Sequence, residues 1–368
     1  MSRRKLSIGT ALSVMAVLVF AVAGVGTAVA QQAAGAVYTL SNEASGNAVV
    51  VLNRAADGTL SPAGSVSTGG LGSGSGLGSQ GALVLNDDGR WLIGVNAGSD
   101  DISVFAVGSN GLRLTDVQLS GGDNPISVTI HGRLVYVLND GSDDVSGLRL
   151  TPAGKLKPIN GAITGLSGAG IAPAQVEFTP DGRQLVVTEK NTNLIDVYGV
   201  RANGRLSAPN IQSSEGMTPF GFAFDPQGRL IVSEAFGGAA GASALSSYTV
   251  GAEGSLGTIS ASVPDFQAAA CWVVVTPDGR FAYTTNTGSN NVSGYEIGSD
   301  GSLTLFGGAP FATGATPIDM DLAGGDFLYT LDAGSHGVSA FAVGSDGSLS
   351  AIAGAAGLPA ASVGLAAA

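Results

Sequence analysis

The chain has 368 residues and a formal net charge of −12, with 12% charged and 44% hydrophobic side chains. That balance argues against disorder, and the acidic surface argues against nucleic acid or anionic lipid as partners. Glycine supplies 58 residues, as expected of many short strands joined by tight turns in one all-β architecture.

At the N-terminus, Arg3, Arg4 and Lys5 precede an apolar run from Val14 to Val25, and Ala28-Val29-Ala30 offers a small-x-small cleavage site. Residues 1–30 therefore read as a cleaved signal peptide, and residues 31–368 as a single mature domain. Ser7, Gly9, Thr10 and Ser13 keep the apolar core below the roughly 20 residues a membrane span needs. Cleavage removes three basic residues and no acidic one, taking the net charge from −12 to −15. The expected product is a secreted or extracytoplasmic monomer of the periplasm or cell envelope, with no transmembrane span. Cys271 is the only cysteine, so no disulfide can form within the chain.

One phrase then recurs along the mature chain. Its clearest copy runs Thr276-Pro-Asp-Gly-Arg280, Phe281-Ala-Tyr-Thr-Thr-Asn286, Thr287-Gly-Ser-Asn-Asn291, Val292-Ser-Gly-Tyr-Glu-Ile297, Gly298-Ser-Asp-Gly-Ser-Leu303. This is turn, strand, turn, strand, turn. The glycines of the last turn recur as Gly58, Gly111, Gly154, Gly204, Gly254, Gly301 and Gly347. Seven copies with four short strands each predict a seven-bladed β-propeller of four-stranded antiparallel blades. Ala36–Leu40 aligns with the second strand of a blade, so blade one lacks its first. Leu358–Leu365 resembles the first strands that follow Pro125, Pro173, Pro219 and Pro317, and is expected to close the ring in blade one.

In such a ring, Asn42, Asn96, Asn139, Glu189, Glu234, Asn286 and Asp332 fall at or near the ends of second strands, all on one face. Asn and Asp suit turns there. Glu is a poor turn former, which makes Glu189 and Glu234 the candidate acid–base pair or ion ligands. No cofactor motif is present, although a divalent cation such as calcium would suit an acidic rim. Two loops on this face are unusual, 69–79 and 237–244; each reads as a mobile cover or as a tolerated low-complexity insertion. No G-x-S-x-G elbow exists, and His131 and His336 are too far apart for a multi-histidine metal site.

Tyr283-Thr-Thr-Asn286, Gly288-Ser-Asn-Asn-Val292 and Asp300-Gly-Ser-Leu303 resemble the YVTN-type repeat. The fuller unit is similar to the seven-bladed lactonase family, which includes 6-phosphogluconolactonase-like and 3-carboxymuconate cyclase-like proteins. The resemblance implies lactone chemistry at the channel mouth, carried in enzyme-like members by a Pro-His step, a Pro-Arg-His step and a Glu. Here those positions read Pro173-Ala174-Gln175 and Pro219-Phe220-Gly221, and Glu234 alone is kept. The loss of both His and the Arg removes the implied general base and anion clamp. This points to a scaffold that binds a small lactone- or sugar-like ligand, an ion or an extracytoplasmic protein, with Gln175, Phe220, Asn139, Asn286 and Asp332 as contacts. The alternatives are a neutral-lactone hydrolase or cycloisomerase, in which Glu234 activates water and Glu189 or Gln175 positions substrate, and a cell-envelope structural repeat protein.

Overall fold

The computed structural model describes Met1 and residues 33–368, so the expected signal peptide lies outside the described residues. Residues 33–368 form seven antiparallel sheets in a ring, each built from four strands in sequence order, except that the first takes one strand from the C-terminus and the sixth has its outer strand split in two. Blade one takes its innermost strand from the C-terminus: Val363–Ala367 pairs with Gly35–Leu40, setting Val37 opposite Ala367 and Leu40 opposite Val363. The closing strand begins later than the expected Leu358. Pro359 has no N–H to give a ladder, and Ser362 N–H turns back onto its carbonyl at 3.1 Å. Leu358 is nonetheless buried at the seam with Leu365.

The repeat turn has a direct structural purpose. All seven turn glycines have φ between 73° and 90°, a region closed to most side chains. The carbonyls of six of them accept a hydrogen bond from the preceding blade. Tyr136, Tyr283 and Tyr329 donate their hydroxyls to Gly204, Gly347 and Gly58 at 2.8, 2.8 and 2.7 Å. The Thr115 and Ser247 hydroxyls donate to the Gly154 and Gly301 carbonyls, and the Gln212 side-chain amide to that of Gly254. Each bond is worth about 1 kcal/mol, and its larger effect is to fix the register between blades whose apolar faces would tolerate slippage.

Innermost strands carry a free edge toward the channel, and side chains of neighbouring blades cap it. The Gln175 amide behaves as an added ladder rung: it accepts from Phe222 N–H at 2.7 Å and donates to Phe222 carbonyl at 2.9 Å. At the seam, Asp319 and Asp321 of blade seven accept from Leu365 and Ala367 N–H at 3.0 and 2.8 Å. Ring closure is therefore polar on the channel side and apolar within the blades.

Candidate functional site

The polar residues at the ends of second strands are the first place to look for chemistry, and all are buried. Asn139 donates to Asp144 at 2.8 Å and to Ser146 at 3.2 Å; Asn286 donates to Asn291 and Ser293, both at 2.8 Å. Asp332 accepts from Thr330, Ser339 and Gly314 N–H. Glu189 accepts from Ser167 N–H at 3.0 Å, from the Ser167 hydroxyl at 2.5 Å and from Thr192 at 2.6 Å. Glu234 accepts from Gly216 N–H at 2.8 Å, from Ser262 at 2.6 Å and from Ser246.

Each set ties its own second strand to the third strand or to the incoming connection. That connection passes so closely that a Cβ on Gly70, Gly122, Gly216 or Gly314 would stand 2.1–2.7 Å from Asn96, Asn139, Glu234 or Asp332. No hydrogen bond joins Glu189 to Glu234, and both residues have 0% exposure, so neither offers an oxygen to solvent. Burial raises the Glu234 and Asp332 carboxyls above the usual range, against the pull of their hydroxyl and N–H donors.

Gln175 and Phe220 stand elsewhere, at the channel mouth, where they meet the chain itself. The glycine-rich connector between blades one and two lies over the mouth. Asn42 anchors it by donating to Ser73 Oγ and the Ser75 carbonyl and accepting from Ser73 N–H. Lys190 Nζ donates to the Gly78 carbonyl at 2.6 Å, and Trp272 Nε1 donates to the Ser79 carbonyl at 2.9 Å. Gln80 then enters the channel. Its N–H bonds the Ala174 carbonyl, and its amide pairs with both backbone groups of Val273 at 2.8 and 3.0 Å.

Phe220 is held beneath this plug, its ring 4.9 Å from Trp272 and 4.9 Å below Lys190 Nζ. Gly221 is required there, because a Cβ would lie 2.1 Å from Gln80 Oε1 and 2.5 Å from the backbone carbonyl of Cys271. The other unusual loop, 237–244, begins within a short 3₁₀ turn at Phe236–Gly238 and shows no comparable anchoring across the mouth.

Below the plug, the channel holds a cavity of about 420 Å³ running from Gln80 to Asp87 and Pro277 in the turns of the opposite face. Its lining gains exposure in that direction, from buried Phe222 to half-buried Phe224, so it is entered from the turn face. Glu177, Asp319 and Asp321 line it. Burial lifts Glu177 to about 8, tempered by the amide of Gln175, with the Asp321 charge adding to the rise. Burial also lifts Asp321 to about 6 and Asp319 well above its usual value. These residues escape a reading based on strand ends, yet the signal exists: Gln175-x-Glu177 and Asp319-x-Asp321 put polar side chains on the same face of an innermost strand. Cys271 is buried, its thiol lifted to about 12, which leaves it protonated and unreactive. Among the described residues, no group of three or more His, Cys, Asp or Glu side chains is arranged to hold a metal ion.

A ring of seven such blades around a central cavity defines a seven-bladed β-propeller. The sequence matches the family described as "Lactonase, 7-bladed beta-propeller" over residues 28–169, 149–236 and 243–363, and the chain belongs to that family. Among solved structures, a Lactobacillus plantarum protein superposes with a TM-score of 0.74 at 19% identity, covering 91% of this chain and 99% of that one. The periplasmic gluconolactonase PpgL of Pseudomonas aeruginosa gives 0.68 at 18% identity, covering 89% and 98%. At these identities the likeness concerns the fold. An uncharacterised Lactococcus lactis protein, YwcC, is 28% identical over 167 residues, which span 42% of this chain and 48% of that protein.

Proposed function

We propose that this chain is an exported lactonase-like propeller that binds a small molecule and does not turn over lactones at the rim. One observation carries the reading: Gly221, at the position of the family's His in the Pro-Arg-His step, is the residue that admits Gln80 of the plug. The space a catalytic imidazole would need is filled by the chain's own amide. Glu234 supports the same view, because its oxygens are saturated by Gly216, Ser246 and Ser262. The ligand class is a neutral lactone- or sugar-like ring in the cavity lined by Glu177 and Asp321, since an anionic ring would meet the Asp321 carboxylate, ionised above about pH 6.

A second reading rests on that same cavity. Carboxyls at about 8 and about 6 suit a general acid and a general base, so a neutral-lactone hydrolase or cycloisomerase would use Glu177 and Asp321. A panel of neutral lactones separates the two. The binding reading expects no hydrolysis above background, together with a melting-temperature rise on adding a sugar lactone that Glu177→Gln abolishes. Hydrolysis lost in Glu177→Gln and kept in Glu234→Gln would establish the second reading. Hydrolysis lost in folded Glu234→Gln would return the chemistry to the rim and defeat both.

A further inference from the structure

The outer edge of blade six is broken. Its fourth strand pairs only over Leu303–Leu305, the chain loops out through Phe306-Gly-Gly-Ala-Pro310, and Phe311–Ala312 rejoins the third strand. The gap leaves a pocket of about 210 Å³ whose walls include Asp265, Phe266, Ser293, Phe306 and Phe311. It lies outside the channel and shares no residue with the cavity there.

Asp265 is the unusual member. It is 3% exposed, its Oδ1 accepts from Gln267 N–H at 2.9 Å, and its Oδ2 has no hydrogen-bond partner. Burial raises its carboxyl, although Gln267, Ser293 and Asn286 stand close enough to temper the shift. No Lys, Arg or His lines the pocket, and none of the four ion pairs among the described residues includes Asp265. Where Asp265 is ionised, a buried carboxylate without a counter-charge is costly, and a cation from outside would supply the charge that the pocket lining lacks.

The walls identify that partner's chemistry. Phe266 is 68% exposed and holds φ at 64°, a conformation aromatic residues rarely accept. Phe306 is fixed edge-on against Phe281 and Tyr283 at 5.9 and 6.2 Å, with Phe311 6.4 Å away. Aromatic faces beside a carboxylate favour an organic cation, through ring quadrupole and charge together. A bare divalent ion would want several oxygen ligands, which these rings do not offer. A neutral sugar would leave the carboxylate uncompensated. The volume is below that of pockets for drug-sized molecules, so a headgroup fits and a whole ligand does not.

We propose that this pocket binds the alkylammonium group of a small organic cation, with Asp265 as counter-charge and Phe266, Phe306 and Phe311 as walls. The acidic net charge of −12 helps to concentrate such cations at the surface. The test is a titration of the purified full chain with tetramethylammonium chloride at pH 8, followed by saturation-transfer NMR and calorimetry, with glucose as the neutral probe.

The expected result is saturable tetramethylammonium binding, weakened at least tenfold by Asp265→Asn and about threefold or more by Phe266→Ala, with no glucose binding. Phe266 is exposed, so its variant keeps the fold. Asp265→Asn removes an uncompensated charge and is expected to melt no lower than the parent. Absence of saturable binding, binding unchanged in both variants, or binding of glucose in place of the cation would overturn the assignment.

Discussion

Deleting residues 357–368 removes the strand that closes the ring, and its cost can be worked from the contacts it makes. Leu358, Val363 and Leu365 are each at most 8% exposed, and burying such a side chain contributes about 1.5–3 kcal/mol. The deletion also strips Asp319 and Asp321 of their donors from Leu365 and Ala367, hydrogen bonds worth about 1 kcal/mol each for carboxyls that burial pushes toward the protonated form. Together these losses approach about 10 kcal/mol, within the 5–15 kcal/mol that typically holds a domain.

The truncated chain is therefore expected to lose cooperative melting. A graded version is Leu365→Ala, at about 3 kcal/mol. For a ring spanning Ala33–Ala368 the unfolding entropy is roughly 0.7 kcal/mol/K, so the melting temperature falls by about 4 °C. Ile163→Ala is the control, because Ile163 is 60% exposed. Scanning calorimetry decides the matter: an unchanged melting temperature after deletion, or a Leu365→Ala shift no larger than that of the control, would refute closure as a source of stability.

Two further outcomes follow from the plug and from the buried carboxyls. Gln80→Ala breaks both bonds to Val273 and is expected to cost about 2 kcal/mol and to red-shift the emission of Trp272 in a Trp91→Phe background; an unshifted spectrum would mean the plug does not depend on Gln80. Burial lifts Glu177 to about 8, Asp196 to about 7, the latter helped by the Glu189 charge, and Asp321 to about 6. Because these folded values exceed the unfolded ones near 4, the folded state holds the extra protons. Their stabilising contribution is complete below about pH 4 and is lost as pH rises through 6–8. The melting temperature should fall from pH 5 to pH 8, less steeply in Glu177→Gln, and a rise over that interval would contradict the assignment.

The ring was legible because its signals are local. Pro-Asp-Gly and Asp-Gly set backbone angles within a few residues, and the seven turn glycines keep them in space. The seam was readable for the same reason, apart from a start displaced to Val363 by Pro359. What position along a strand does not encode is the company a side chain keeps. Asn139 and Asn286 looked like rim ligands, and their partners Ser146 and Ser293 stand seven residues downstream, a spacing that pattern reading could have used. The plug gave no comparable sign: a Gly-Ser connector has no periodicity, and its anchors Lys190 and Trp272 are 112 and 193 residues away from what they hold.

The residues at 220 and 221 and the plug are best understood together. Gly221 has no side chain, which admits Gln80; Phe220 is apolar, which lets it stack on Trp272 and lie under Lys190; Lys190 and Trp272 in turn hold Gly78 and Ser79. With a histidine at 221 the plug would collide with the imidazole. With Gly221 and no plug, Trp272 Nε1 and the Val273 backbone groups would lose the partners they now have. Restoring the imidazole alone would thus leave two groups competing for one space. A Gly221→His chain can seat its imidazole at the mouth only if residues 72–81 are shortened in the same molecule and the Cys271 carbonyl, 2.5 Å from a Cβ at 221, also gives way.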